Sequence, residues 1–215
     1  MSVDNPLLDE LYDLIVRGDI KQATATTARG LEQLVAPTDM LFEAMIPALE
    51  EVGRRFEAGE YFLPEMLIAA RSMQSAMDVV RPHIVEAGVK PTGTFLMGTV
   101  AGDIHDVGKN LCNVMLEGAG FRVIDLGVNV PGDRFVDAIR EHQPDVVGMS
   151  AFLTTTMMEI KSNLQLFKSA GLRDDVLVMV GGAPINDEFA REVGADGYSP
   201  DASATVRKAK QLIGA

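Results

Sequence analysis

Along the first 86 residues apolar side chains return every three or four positions, the period of helices that bury one face. Leu7, Leu8, Leu11, Leu14 and Ile15 make one stripe, ended by Gly18, with Asp19 standing as the next N-cap. Ile20, Ala23, Thr27, Leu31 and Leu34 form a second stripe, broken at Pro37. Thr38 is expected to cap a third helix through Leu41, Met45, Leu49, Val52 and Phe56, which Gly59 closes. A fourth starts near Pro64 and repeats Met66, Ala70, Met73, Met77 and Val80. Four helices with short connections predict an antiparallel four-helix bundle over 1–87.

Residues 88–93, Gly-Val-Lys-Pro-Thr-Gly, carry no apolar period and read as a linker. Beyond them the pattern changes. Short β-rich runs at Thr94–Val100, Phe121–Leu126, Val146–Ser150, Val176–Val180 and Gly197–Tyr198 alternate with helical stretches near 107–118, 133–142, 155–169, 186–193 and 202–213. Strands that are apolar without interruption are covered on both faces, which means a parallel sheet. The fold class is thus α + α/β: a helical bundle, then a flavodoxin-like, doubly wound five-stranded parallel sheet over 94–215. In such a sheet ligands sit at the carboxyl ends of the strands.

Composition removes several classes of function. With 19 Lys+Arg against 31 Asp+Glu the net charge is −12. Residues 1–90 hold 15 acids and 8 bases, so both halves are acidic and neither is a module for nucleic acid or anionic membrane. No run approaches the roughly 18 apolar residues of a membrane span, and the start lacks a signal-peptide pattern, so a cytoplasmic protein is expected. A single cysteine, Cys112, excludes an intrachain disulfide framework and any cysteine-only metal site. Cys112 and the twelve methionines read as packing, and His83 and His142 as surface residues.

Candidate chemistry gathers at the strand ends. The first strand runs into Gly102-Asp103-Ile104-His105-Asp106-Val107-Gly108, an acid and an imidazole two residues apart, with a glycine where a bulky ligand can approach. An Asp that takes the proton of one ring nitrogen leaves the other free for a metal. One imidazole without a cysteine cluster cannot make a tetrahedral zinc site, so a metal must arrive already chelated in a cofactor. Ser150 and Thr154 follow the third strand, as helix caps or as ligand contacts. Gly181-Gly182 ends the fourth, as a tight turn or as a flat surface for something slender.

Together these residues spell D-x-H-x-x-G, 41 residues, S-x-F, 28 residues, G-G. The pattern resembles the cobalamin-binding domain of methionine synthase, corrinoid methyl carriers and some mutases; Phe152 stands where that family has leucine. The resemblance implies a cobalamin or related corrinoid, passing between its methylcob(III)alamin and cob(I)alamin states, with His105 as the lower axial ligand of cobalt. It implies that Asp103 and Ser150 continue a proton relay from the imidazole. By the same resemblance Gly102, Ile104 and Asp106 lie against the cofactor. Gly108, Thr154, Gly181 and Gly182 line the slot for its nucleotide tail, and Ala202 makes the last tail contact. The segment Phe56-Glu57-Ala58-Gly59-Glu60-Tyr61-Phe62-Leu63-Pro64 is similar to the turn of the helical cap over the reactive corrin face, which assigns Phe56 and Leu63 to it.

A bundle plus a B12 domain looks like the free-standing corrinoid protein of anaerobic methyltransferase systems. Its implied partners are a substrate:corrinoid methyltransferase, a methylcorrinoid:acceptor methyltransferase using a thiol or tetrahydrofolate, and a reductive activase. A cobalamin sensor would usually need a basic recognition helix, which the acidic bundle lacks. The small subunit of an adenosylcobalamin mutase would leave the cap turn unexplained, and a phosphorylated receiver domain gives His105 no task.

Overall fold

The computed structural model describes residues 5–86 and 90–215. The chain divides into two compact units, Met1–Lys90 and Pro91–Ala215. The expected boundary at 87 and residues 88 and 89 of the expected linker lie outside the described residues.

The first unit is four helical rods. Helix α1 (Pro6–Val16) has proline in its first turn, and Asn5 caps it by accepting the Leu7 N–H at 3.1 Å. Helix α2 (Ile20–Glu32) is capped by Asp19 as the sequence predicts, through the Gln22 N–H at 3.0 Å. It ends before Leu34, which does not join the buried stripe. Leu34 takes a left-handed conformation (φ 61°) while Val35 N–H bonds back to the Gly30 carbonyl, so its side chain leaves the bundle 91% exposed.

The third rod starts two residues earlier than expected. Ala36 holds the N-cap position and Pro37 the first helical one, so Thr38 lies inside the helix and caps nothing. Helix α3 (Pro37–Asp39) passes through a π-helical turn, Met40–Met45, into α4 (Ile46–Glu57). The wide turn immediately precedes Pro47, which has no N–H to give and whose ring would strike the carbonyl four residues back in a regular helix. Gly59, at φ 74°, closes the rod as predicted. Helix α5 (Leu63–Glu86) buries Met66, Ala70, Met73, Met77 and Val80, the predicted stripe, and packs mainly on α2.

In the second unit five parallel strands lie in the order β2-β1-β3-β4-β5: β1 (Thr94–Thr99), β2 (Arg122–Asp125), β3 (Val146–Ser150), β4 (Leu177–Gly181) and β5 (Gly197–Tyr198). Helices α6 (Val107–Gly118), α7 (Gly132–His142), α8 (Met158–Ser169), α9 (Asp187–Val193) and α10 (Ala202–Ile213) connect and cover them. Leu96, Val147, Val178, Phe135 and Phe167 sit at the centre of the core with no exposed surface. Thr99 pairs with Ser150 and Ser150 with Gly181, so the carboxyl ends of three neighbouring strands finish in one row. That row carries the site. Helix α8 starts at Met158 rather than near 155, because residues 153–157 wind a turn around the Leu153 carbonyl. Among the described residues no helix is long and apolar enough to cross a membrane.

Within the first unit one polar chain fixes the turn after α4. Glu51 accepts two hydrogen bonds from Arg54 and one from Arg55, each at 2.7 Å. Arg55 also donates to the Tyr61 hydroxyl at 3.1 Å and lies 5.2 Å from its ring centre, and Tyr61 donates to the Val16 carbonyl at the end of α1. The hydrogen bonds from Arg54 and then Arg55 hold the Glu51 carboxyl at about 2, below its ordinary 4.5. A depressed carboxyl contributes stability above its unfolded value and loses it as pH falls through the folded one. We therefore expect the melting-temperature gap between wild type and Glu51→Gln to be constant above about pH 5 and to close between about 4.5 and about 2. A gap independent of pH would mean that these ion pairs contribute nothing.

Candidate functional site

Asp103 is the centre of the site and has no exposed surface. It follows β1 in a tight turn, and both its oxygens are filled. Oδ1 accepts from the His105 ring Nδ1 at 2.7 Å and the His105 N–H at 3.1 Å. Oδ2 accepts from the Thr156 hydroxyl at 2.7 Å, the Phe152 N–H at 2.7 Å and the Leu153 N–H at 3.3 Å. Burial alone pushes this carboxyl up, but the bonds from Thr156, Phe152 and His105 outweigh it and hold Asp103 far below the usual carboxylate range.

An ionised carboxylate only accepts, so the proton between Asp103 and His105 sits on Nδ1. In the neutral form of the ring the lone pair is then on Nε2, and the His105 side chain is 45% exposed. Its outer neighbours are apolar: Ile104 is 73% exposed, Val107 55%, Phe152 51% and Leu153 40%. The Phe152 ring stacks on the imidazole with centroids 4.2 Å apart and planes 24° apart.

The loop after β2 and the end of β1 clamp this turn. Asn129, in the left-handed region at φ 52°, accepts the Gly102 N–H at 2.7 Å and donates its own N–H to the Asp103 carbonyl at 2.8 Å. On the strand side the Thr99 hydroxyl donates to the His105 carbonyl at 3.1 Å. Buried Lys109 reaches Asp125 at 2.6 Å and so ties the start of α6 to the end of β2. Asp106 stands at the N-cap position of α6, and its carboxylate accepts the Asn110 side chain at 3.1 Å.

The structure thus brings Asp103 and His105 together as expected, but it does not route the relay through Ser150. That side chain ends β3, between Thr99 and Gly181, whereas Asp103 faces the loop beyond, where Thr156 supplies the hydroxyl. Thr156, Asn129 and Lys109 were not among the sequence candidates. Thr154 is exposed on the same turn. Gly182 serves the fold: at φ 129° its backbone passes so close to Ala151 that a Cβ would lie 1.8 Å from the Ala151 carbonyl oxygen. At Gly181 a Cβ would come within 3.1 Å of the Ser199 carbonyl, and Ala202 is buried as the first residue of α10. Gly108 differs from these, since nothing lies within 4 Å of where its Cβ would be. Phe56 is half-buried near the end of α4 and Leu63 is 43% exposed at the start of α5, on opposite sides of the turn in the first unit.

A second polar group lies behind the strand ends. The Ser199 and Thr205 hydroxyls bond at 2.8 Å, and the Cys112 sulfur is 3.5 Å from the same Thr205 hydroxyl. Burial pushes the Cys112 thiol up, so it is no thiolate nucleophile. On the same two helices the Asn113 Oδ1 and the Ser203 Oγ are buried with no hydrogen-bond partner among the described residues. Buried polar atoms left this way cost free energy until something bonds them. No group of three His, Cys, Asp or Glu able to hold a metal ion occurs among the described residues. A metal at His105 therefore needs a chelator of its own, and the free nitrogen, the open space at Gly108 and the orphaned polar atoms fit a corrinoid.

Two family models, each described as a B12 binding domain, match residues 93–207 and 7–81. The chain is 38% identical to dimethylamine corrinoid protein 2 of Methanosarcina acetivorans, over 99% of both chains. It is 35% identical to trimethylamine corrinoid protein 1 of the same organism, over 99% of this chain and all of the other. Among solved structures, a cobalamin-binding protein from Desulfitobacterium hafniense DCB-2 superposes with a TM-score of 0.78 at 30% identity, covering 95% of this chain and 98% of that one. A pinned imidazole on a five-stranded parallel sheet, matched from end to end by such relatives, places the chain in the B12-binding corrinoid protein family.

Proposed function

We propose that the chain carries a methyl group on a corrinoid between a substrate:corrinoid methyltransferase and a second methyltransferase that serves a thiol or tetrahydrofolate acceptor. The observation that carries this reading is the exposed His105 imidazole, with Nδ1 held by a saturated carboxylate and Nε2 free. Bound there, the corrinoid supplies a cobalt that accepts and releases the methyl group. His105 would offer Nε2 to it, and Asp103 would keep the proton on Nδ1. Thr156 and the Phe152 and Leu153 amides keep that carboxylate ionised. The nucleotide tail would enter past Gly108 and satisfy the orphaned Asn113 and Ser203 atoms.

The helical unit would supply apolar cover for the bound group through Phe56, Leu63 and the exposed Phe62; the B12-binding match at 7–81 supports that role. Relatives named for dimethylamine and for trimethylamine match within three points of identity, which supports a reading in which the partner methyltransferase chooses the methyl donor. A reductive activase would complete the set of partners. The sensor reading is less favoured, because the full-length relatives are corrinoid proteins and the bundle is acidic.

Reconstitution with hydroxocobalamin, desalting and visible spectroscopy test the reading: about one corrinoid per chain should be retained, with the benzimidazole base off and histidine on. No retained corrinoid would refute it. Thr156→Val should lower the unfolding free energy of the intact chain by about 1.5–3 kcal/mol, the weight of a hydrogen bond to a buried charge, and Ser150→Ala by much less. Denaturant melts on both variants decide it, and equal losses would give the relay back to Ser150. Gly108→Ala should leave stability unchanged or raise it by up to about 1 kcal/mol, since helix residues other than glycine pay less backbone entropy. The same variant should retain less corrinoid, because the added methyl enters the proposed approach. Undiminished retention would show that the space beside Gly108 does not face the cofactor.

A further inference from the structure

We propose that Phe152, where the resembled motif has leucine, is a positioning residue that sets the plane of the His105 imidazole and with it the direction of the Nε2 lone pair; this rests on the corrinoid reading above. The torsion that turns an imidazole about its Cβ–Cγ bond is soft and roughly two-fold. One hydrogen bond at Nδ1 therefore fixes where the ring is anchored but leaves it free to pivot about the Nδ1–Oδ1 line. A second contact is needed on a face. Phe152 supplies it, at 4.2 Å between centroids and 24° between planes. Its own N–H meanwhile holds Asp103 Oδ2 at 2.7 Å, so one residue constrains both members of the pair, by main chain on the acid and by side chain on the base.

Leucine at this position would keep the main-chain bond and the apolar cover, but a branched alkyl group has no flat face and does not prefer one imidazole plane. An aromatic pair is worth about a two- to tenfold bias in an equilibrium. That bias here favours the ring orientation in which Nε2 points out of the site. Because Phe152 is 51% exposed, replacing it leaves no internal cavity, and the fold survives the substitution.

The test compares wild type, Phe152→Leu and Phe152→Tyr in two ways at one fixed pH. In the apoprotein, NMR reads the His105 ring protons, which a stacked ring shifts upfield. In the cobalamin-loaded protein reduced to cobalt(II), EPR reads the ratio of histidine-on to histidine-off forms from the nitrogen superhyperfine splitting. Phe152→Leu should lose the upfield shift and lower the ratio by about two- to tenfold. Phe152→Tyr should keep both. An unchanged ratio in Phe152→Leu overturns the proposal, and so does an equal fall in Phe152→Tyr, which would show that keeping the aromatic ring is not what matters. A wild type that is histidine-on with an indifferent leucine variant removes only this role. A wild type that retains no corrinoid removes the carrier reading and this inference together.

Discussion

A carboxylate without water must be surrounded by donors, and the architecture of the second unit around Asp103 follows from that requirement. Five donors converge on its two oxygens from two segments that are distant in sequence: its own turn, and the loop after β3 that winds into α8. Parallel strands ending in register make this possible, since they bring the loops after β1 and β3 side by side. Asn129 adds a clamp from the loop after β2. The ring of His105 is the one partner of Asp103 that remains open to a ligand, which is why a group with no exposed surface can govern an exposed one.

Much of this was legible in the chain. Periodicity separated the helical from the α/β half, and the strand limits Val146–Ser150 and Gly197–Tyr198 and the helices 107–118 and 202–213 agree with the structure to the residue. The acid–imidazole pair could be read because its two members are two positions apart, so any turn keeps them close. Thr156 could not. Three threonines stand together at 154–156, and only the turn wound around the Leu153 carbonyl shows that the third points inward. Strand-end reasoning favoured Ser150 instead, since it sees position along the sheet but not which way a loop folds back. Leu34 failed for a related reason: its spacing suits the stripe, but α2 stops two residues earlier.

Glycines in one motif answer to different forces. Gly182 is fixed by the backbone beside it, for any side chain would collide with Ala151. Gly108 sits in a helix with open space around it, where the fold alone would accept or favour alanine. The same letter in the same pattern thus reports a folding constraint at one site and open space at the other. Burial and distance separate the two cases where the motif cannot.

The π-helical turn at Met40–Met45 imposes a rule of length on the first unit. Each helical residue advances the chain by about 100°. The wide turn absorbs one extra residue, which lets its own Met40, Leu41, Ala44 and Met45 share the buried face with Ala48, Leu49 and Val52 after it. Exchanging one apolar residue for another there changes only local packing. Inserting a further residue into a regular part of the rod, where no wide turn absorbs it, would rotate everything upstream by nearly a third of a turn and carry half the stripe into solvent, so evolution can vary the letters of this segment far more readily than their number.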